Sequence, residues 1–189
     1  MVRLDEIARA LYGAWRLARL DPGGLAWFDD TVDGFWRSFF AAVLTAPGFA
    51  LLVGLRLAPH QLAAGPARLV LIESIAYVIG WVAFPLAMFY IAKLIDREAR
   101  YIRFIVAANW AAVLQMLLFV IVTGLAHGFL AEGGVAILGA VATGAILFYQ
   151  WFIARTALAV SGLVAAGIVL MDLVIGVFVT NVATVMLLA

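Results

Sequence analysis

The sequence predicts an all-α protein, a polytopic transmembrane helical bundle of about five spans preceded by an N-terminal amphipathic helix. Three observations carry that reading. Hydrophobic residues fill 67% of the 189 positions and charged residues only 12%, against roughly 45–50% and about 25% in a soluble domain. Apolar runs recur along the chain, each near the ~20 residues that carry a helix across a bilayer. Lysine and arginine gather in alternate connections between those runs. A water-soluble globule is excluded.

Residues 1–34 form a cytoplasmic amphipathic or interfacial segment. Leu4, Ile7, Ala8, Leu11, Trp15 and Ala18 recur at the spacing of one helix face, while Arg3, Asp5, Glu6, Arg9, Arg16 and Arg19 take the other. The pattern ends at Asp21-Pro22-Gly23-Gly24, where proline and glycine break a helix. Such a helix either lies on an anionic membrane surface or packs its apolar face on the protein's own bundle. Charges interleave as far as Asp33, so no cleaved secretory signal is expected and the first span serves for targeting.

Residues 35–189 form the five-span domain, with spans at about 35–57, 69–91, 104–125, 135–154 and 159–187. Asp29-Asp30-Thr31-Val32-Asp33 supplies caps for the first helix, which is expected to run unbroken from Phe35 to Pro47. Pro47 and Pro85 fall inside spans one and two, where neighbouring helices must satisfy the carbonyls they free. Least punctuated is the stretch from Ala154 to Gly162, read as a tight hairpin between spans four and five.

Orientation follows from the basic residues. Arg3, Arg9, Arg16, Arg19 and Arg37 precede or open span one, Lys93, Arg97, Arg100 and Arg103 lie between spans two and three, and Arg155 follows span four. Only Arg56 and Arg68 fall on the opposite side, completing the twelve. The expected location is a bacterial cytoplasmic (inner) membrane, with the N-terminus cytoplasmic and the C-terminus periplasmic.

Asp172 is the leading site candidate, because it lies mid-span, where a charged side chain costs on the order of 2.5–3.5 kcal/mol on insertion scales. At 100° per residue it shares a face with Ser161, Ala165, Gly176 and Ala183, a small-residue stripe suited to close helix packing. Gln150, with Thr143 and Gly139 on its face of span four, and Asn109, with Met116 and Thr123 on its face of span three, are the candidate partners. Arg155 is 17 residues away, about 25 Å along a helix, and cannot pair with it. Asp172 is then either a proton or cation site or a carboxyl that hydrogen-bonds neighbouring helices together.

Glu73 sits at the outer boundary of span two, where Arg68 or Arg56 offers an ion pair and a ligand role is the alternative. Trp15, Trp27 and Trp36 stand as interface anchors among a belt that includes Phe28, Phe35, Phe39, Phe40, Tyr101 and Phe104. Asp29, Asp30 and Asp33 match the D-D-x-x-D spacing that holds magnesium and diphosphate in prenyl-transferring enzymes, yet no second aspartate-rich motif follows and capping with Arg37 is the simpler use. His60, His127 and Glu132 are read as solvated loop residues rather than a metal site. There is no cysteine, which excludes disulfides and thiolate sites. No Walker, G-x-S-x-G, H-E-x-x-H or G-x-G-x-x-G motif occurs, so no catalytic residue, cofactor or metal is expected.

The layout resembles that of Yip1-like membrane proteins: five spans, a cytoplasmic N-terminal segment, a basic second connection and an external C-terminus. In motif it rests on Phe35-Trp36-Arg37-Ser38-Phe39-Phe40 through Pro47 and on Tyr77 through Pro85. The resemblance implies a non-enzymatic scaffold and transfers no site residue. The expected function is association in the lipid bilayer, as an accessory subunit or scaffold of a membrane complex or as a homo-oligomer, with no nucleic-acid partner. The competing reading is a small proton- or cation-coupled transporter or channel that uses Asp172.

Overall fold

The computed structural model describes residues 2–56, 65–129 and 132–188. Among the described residues seven α-helices follow one another: α1 (Leu4–Ala18), α2 (Val32–Ser38), α3 (Phe40–Arg56), α4 (Pro66–Leu94), α5 (Tyr101–Phe129), α6 (Glu132–Leu158) and α7 (Gly162–Leu188). Short 3-10 turns at Pro22–Trp27 and Glu98–Arg100 precede α2 and α5, and no strand occurs among the described residues. Five stretches of the described residues are long and apolar enough to cross a membrane: Val32–Leu55, Pro66–Leu94, Glu98–Ala126, Gly134–Leu158 and Gly162–Leu188. Val78 and Leu86 on α4, and Phe178 and Val185 on α7, are among many apolar side chains left exposed on their flanks. Water would oppose so large an apolar surface, and lipid accommodates it. The chain is a multi-pass membrane protein.

The face that α1 buries is turned from the stripe read in its sequence. Ala10, Gly13, Ala14 and Leu17 are buried, with Ile7 and Leu11 packed beside them, whereas Leu4, Ala8, Trp15 and Ala18 point outward. Small residues win because the helix lies close against α5 and α6, near enough for the Tyr149 hydroxyl to donate to the Ala14 carbonyl at 2.7 Å. The following turn folds back equally closely. A Cβ on Gly24 would stand 2.5 Å from the Gly13 carbonyl oxygen, and one on Gly13 2.9 Å from that of Gly24, so both positions need glycine.

The first span starts earlier than its sequence suggests and is interrupted. Thr31 caps α2, its hydroxyl accepting from Gly34 N–H at 3.0 Å, and the run expected to continue unbroken to Pro47 pauses at Phe39. Ser38 explains the pause, since its hydroxyl donates to the Phe35 carbonyl at 2.7 Å, a back-bond that bends helices. Around Pro47, the Ala42 carbonyl accepts from Tyr77 at 2.6 Å and the Ala41 carbonyl from Thr45 at 3.0 Å. α4 thereby helps satisfy the backbone of α3.

The core sits at the end of the bundle where α1 docks. Ile105, Val106, Ala107, Trp110 and Ala111 of α5 meet Ile153, Ala154, Ala157 and Leu158 of α6, with Met88 of α4. Phe28 and Phe104, read from sequence as part of an interfacial belt, belong to this core instead, because α1 and its turn cover the bundle end. The hairpin between α6 and α7 is closed by Trp151, whose indole N–H donates to the Gly162 carbonyl at 2.8 Å, and by Ala159 at φ 49°. α7 accordingly begins at Gly162 rather than Ala159.

Candidate functional site

The helices do not pack uniformly. α5 pairs closely with α3 and α6, while α4 lies along α7. At one end α4 is tied to α5 by Tyr101, whose hydroxyl donates to the Pro85 carbonyl at 3.0 Å, and by the edge-on rings of Phe84 and Phe104 at 6.0 Å. At the other end Ile72 is buried against Ala183 and Leu187 of α7. Between those ties the facing residues are small, Ala76 and Gly80 on α4, Ala108 and Ala112 on α5 and Gly176 on α7, and a cavity of ≈ 370 Å³ remains.

Asp172, Glu73, Asn109, Gln115, Gln150, Tyr77, Thr180 and Thr184 are its polar lining. Asp172 accepts from the Gln150 amide at 3.2 Å, and the same nitrogen donates to Gln115 Oε1 at 3.4 Å. This chain links α5, α6 and α7. An ionised carboxylate has about four acceptor positions, and Gln150 is the only hydrogen-bond donor recorded for Asp172 among the described residues. No lysine, arginine or histidine is among the described lining residues.

Of the partners expected for Asp172, Gln150 is brought to it and two are not. The Asn109 amide lines the cavity but donates to Ser38 Oγ at 2.8 Å, and Thr143 turns back on its own helix, donating to the Gly139 carbonyl at 2.9 Å. Glu73 faces the cavity without an ion pair among the described residues. Arg68, one of its two expected partners, donates instead to the Met186 carbonyl at 2.7 Å, because α4 and α7 are pressed together at that end. Ile72 meets Ala183, and counting along the antiparallel pair from there sets Asp172 opposite the Trp81 to Pro85 stretch, roughly 15 Å below Glu73. The two carboxylates therefore occupy different depths of one cavity.

Gln115 and Tyr77 were not singled out by the sequence as polar cavity residues. Gln115 does not share the helical face of Asn109, but its side chain is long enough to reach Gln150; an amide in the middle of an apolar span was its signal. In the sequence Tyr77 figures only as the start of the Tyr77-through-Pro85 stretch, and its hydroxyl meets Thr45 at 2.7 Å.

At the bundle end beside α1, Asp29 and Asp30 of the acidic cluster are engaged. Asp29 accepts from the Thr31 hydroxyl at 2.7 Å and amide at 3.0 Å and pairs with Arg37; Arg37 also reaches Glu6 at 2.8 Å, and Asp30 pairs with Arg103 at 2.9 Å. The Thr31 hydroxyl, then its amide and Arg37, hold the Asp29 carboxyl below its ordinary 3.8 despite partial burial. Arg16 and the Gly23 amide do the same for Asp21. Trp15 and Trp36 are exposed, and Trp27 is edge-on to Tyr12 at 4.6 Å. His60 lies outside the described residues, as do the side chains of Arg56, His127 and Glu132.

No protein-family model, curated protein or solved structure matches the chain.

Proposed function

We propose that this chain is a non-enzymatic protein of the bacterial cytoplasmic membrane that takes up a proton or cation at Asp172, as a small cation-coupled transporter or channel. One observation carries the reading: two carboxylates line a cavity between spanning helices with no basic side chain among the described lining residues. An intramembrane acid without a cationic partner is costly unless a proton or cation neutralises it. Gln150 orients one oxygen of Asp172, and Glu73 stands at a second depth along the same cavity.

The test is ion flux in liposomes carrying the full chain. Asp172→Asn keeps the shape and can still hydrogen-bond to Gln150, so it should fold normally and abolish proton- or cation-dependent flux. Absence of flux from the wild-type protein under a range of imposed pH and cation gradients would overturn the proposal.

The proposed orientation, with the N-terminus inside and the C-terminus outside, is checked by reporters at His60, Arg97, His127 and the C-terminus. They should read outside, inside, outside and outside. A second reading, association as an accessory subunit or homo-oligomer in the manner of Yip1-like proteins, draws on one observation. Gly139, Gly144 and Gly167 have nothing within 4 Å of where a Cβ would stand, leaving facets on α6 and α7 open to another helix. Native mass spectrometry of the gently extracted protein distinguishes a co-purifying subunit from a lone chain or dimer.

A further inference from the structure

The dimensions and walls of the cavity say more about its cation than charge alone. A volume of ≈ 370 Å³ lies in the range of small-molecule pockets and far exceeds a bare metal ion. Hard metal ions also demand several oxygen ligands at short range, whereas the two carboxylates stand at different depths. Part of the remaining wall is aromatic. Tyr77, Trp81, Phe84 and Phe104 all line it, and the register of α4 on α7 brings Trp81 and Phe84 to the level of Asp172. Aromatic faces attract an organic cation through their quadrupole, and apolar walls accept its body.

We infer that the cavity is a binding site for an organic ammonium ion with an apolar body, its charge beside Asp172 and its body against Trp81, Phe84 and Phe104. The inference rests on the proposed function and deepens it by naming the substrate class. A zwitterionic phospholipid headgroup is a poor occupant, because its phosphate would enter an acid-lined space with no described lysine, arginine or histidine to receive it. A free amine or quaternary ammonium carries no such group.

Calorimetric titration of the full chain in neutral detergent tests it. The probe is benzyltrimethylammonium, compared with its uncharged isostere neopentylbenzene, with benzoate, and with tetramethylammonium, which has the charge without the body. Saturable binding of benzyltrimethylammonium is expected, with tetramethylammonium weaker by about tenfold and no binding of benzoate. Asp172→Asn, which removes the Coulomb attraction, should weaken it by about 100-fold, Trp81→Leu by about tenfold, and Trp81→Phe should restore most of the loss. Phosphatidylethanolamine added to the detergent should not compete.

The comparison of probe with isostere needs no variant, so a substitution that fails to fold does not blunt the test. Equal affinity for the charged probe and its uncharged isostere would overturn the inference, as would undiminished binding by a well-folded Asp172→Asn protein or competition by phosphatidylethanolamine. If Asp172-dependent proton or inorganic-cation flux persists while the probe fails to bind, this inference falls and the proposed function stands. If both are absent, both fall.

Discussion

The bundle end built by α1, α5 and α6 and the seam between α4 and α7 use the same apolar residue types to opposite effect. In the first, Ile105, Ile153, Ala157 and Leu158 are fully enclosed, and the buried polar groups are matched: Ser38 with Asn109, and Tyr149 with the Ala14 carbonyl. In the second, Ile72 is buried against Ala183 and Leu187, and beyond them the helices part around a cavity with no basic side chain among its described lining residues. Hydrophobicity does not separate the regions, since lipid is as apolar as a leucine side chain. Side-chain size and polar satisfaction do. One region holds the fold and the other leaves room for a ligand.

The largest effect that can break this comparison is a cavity cut into each region. Ile105→Ala should lower stability by about 2–5 kcal/mol, whereas Ile72→Ala, taken from a cluster of only three described buried residues, should fall at the low end of that range. Thermal unfolding followed by tryptophan fluorescence in detergent reads both. Equal losses would mean that the seam is as much part of the structural core as the α5–α6 contact.

Next in size is the amide chain. Asp172→Leu strands one Gln150 N–H and should lose about 1–3 kcal/mol, while Asp172→Asn should lose little. Gln150→Leu should resemble Asp172→Leu in stability, since it unpairs Gln115 and Asp172 together. A stable Asp172→Leu protein would show that the network contributes nothing to holding α6 on α7.

The helical class was legible because composition and run length force it, and so was Asp172, since a carboxylate amid apolar residues stands out whatever its neighbours. What single-helix periodicity does not encode is which helices touch. Counting faces therefore brought Gln150 to Asp172 but also offered Asn109 and Thr143, which bond elsewhere. It assigned α1 a Leu4–Trp15 face, although close approach selects the small Ala10–Gly13–Ala14 face. It offered Glu73 either Arg68 or Arg56, and the tight contact of α4 with α7 turns the Arg68 guanidinium onto Met186. The cavity itself was illegible, because it arises where small residues on three helices coincide.

The acidic cluster sharpens the comparison through pH. The carboxyl of Asp29 is depressed by the Thr31 hydroxyl first, with the Thr31 amide and Arg37 adding to it. A group whose folded pKa lies below its unfolded value stabilises the fold above that unfolded value, here 3.8, and loses the contribution as pH falls through the lower, folded one. Stability should therefore drop below about pH 4 in the wild-type chain, with a shallower slope in Asp29→Asn. Unfolding midpoints collected from pH 3 to pH 7 provide the check, and parallel slopes in the two proteins would remove Asp29 from the account.

The smallest effect concerns the pair that ties the segment before α2 to α5. Arg103 donates through Nε at 3.2 Å and Nη2 at 2.9 Å to the same oxygen of Asp30, but the two side chains are 45% and 50% exposed. A single-oxygen contact in that setting is worth about 0.2–1 kcal/mol, and salt screens exposed charges over about 10 Å at 0.1 M. Arg103→Gln should therefore shift the unfolding midpoint only slightly, and the difference from wild type should shrink at high salt. Asp30→Asn should behave the same way, and the double variant should lose no more than either single one. Losses that add fully, or persist in high salt, would mean that each residue holds the bundle end through contacts other than this ion pair.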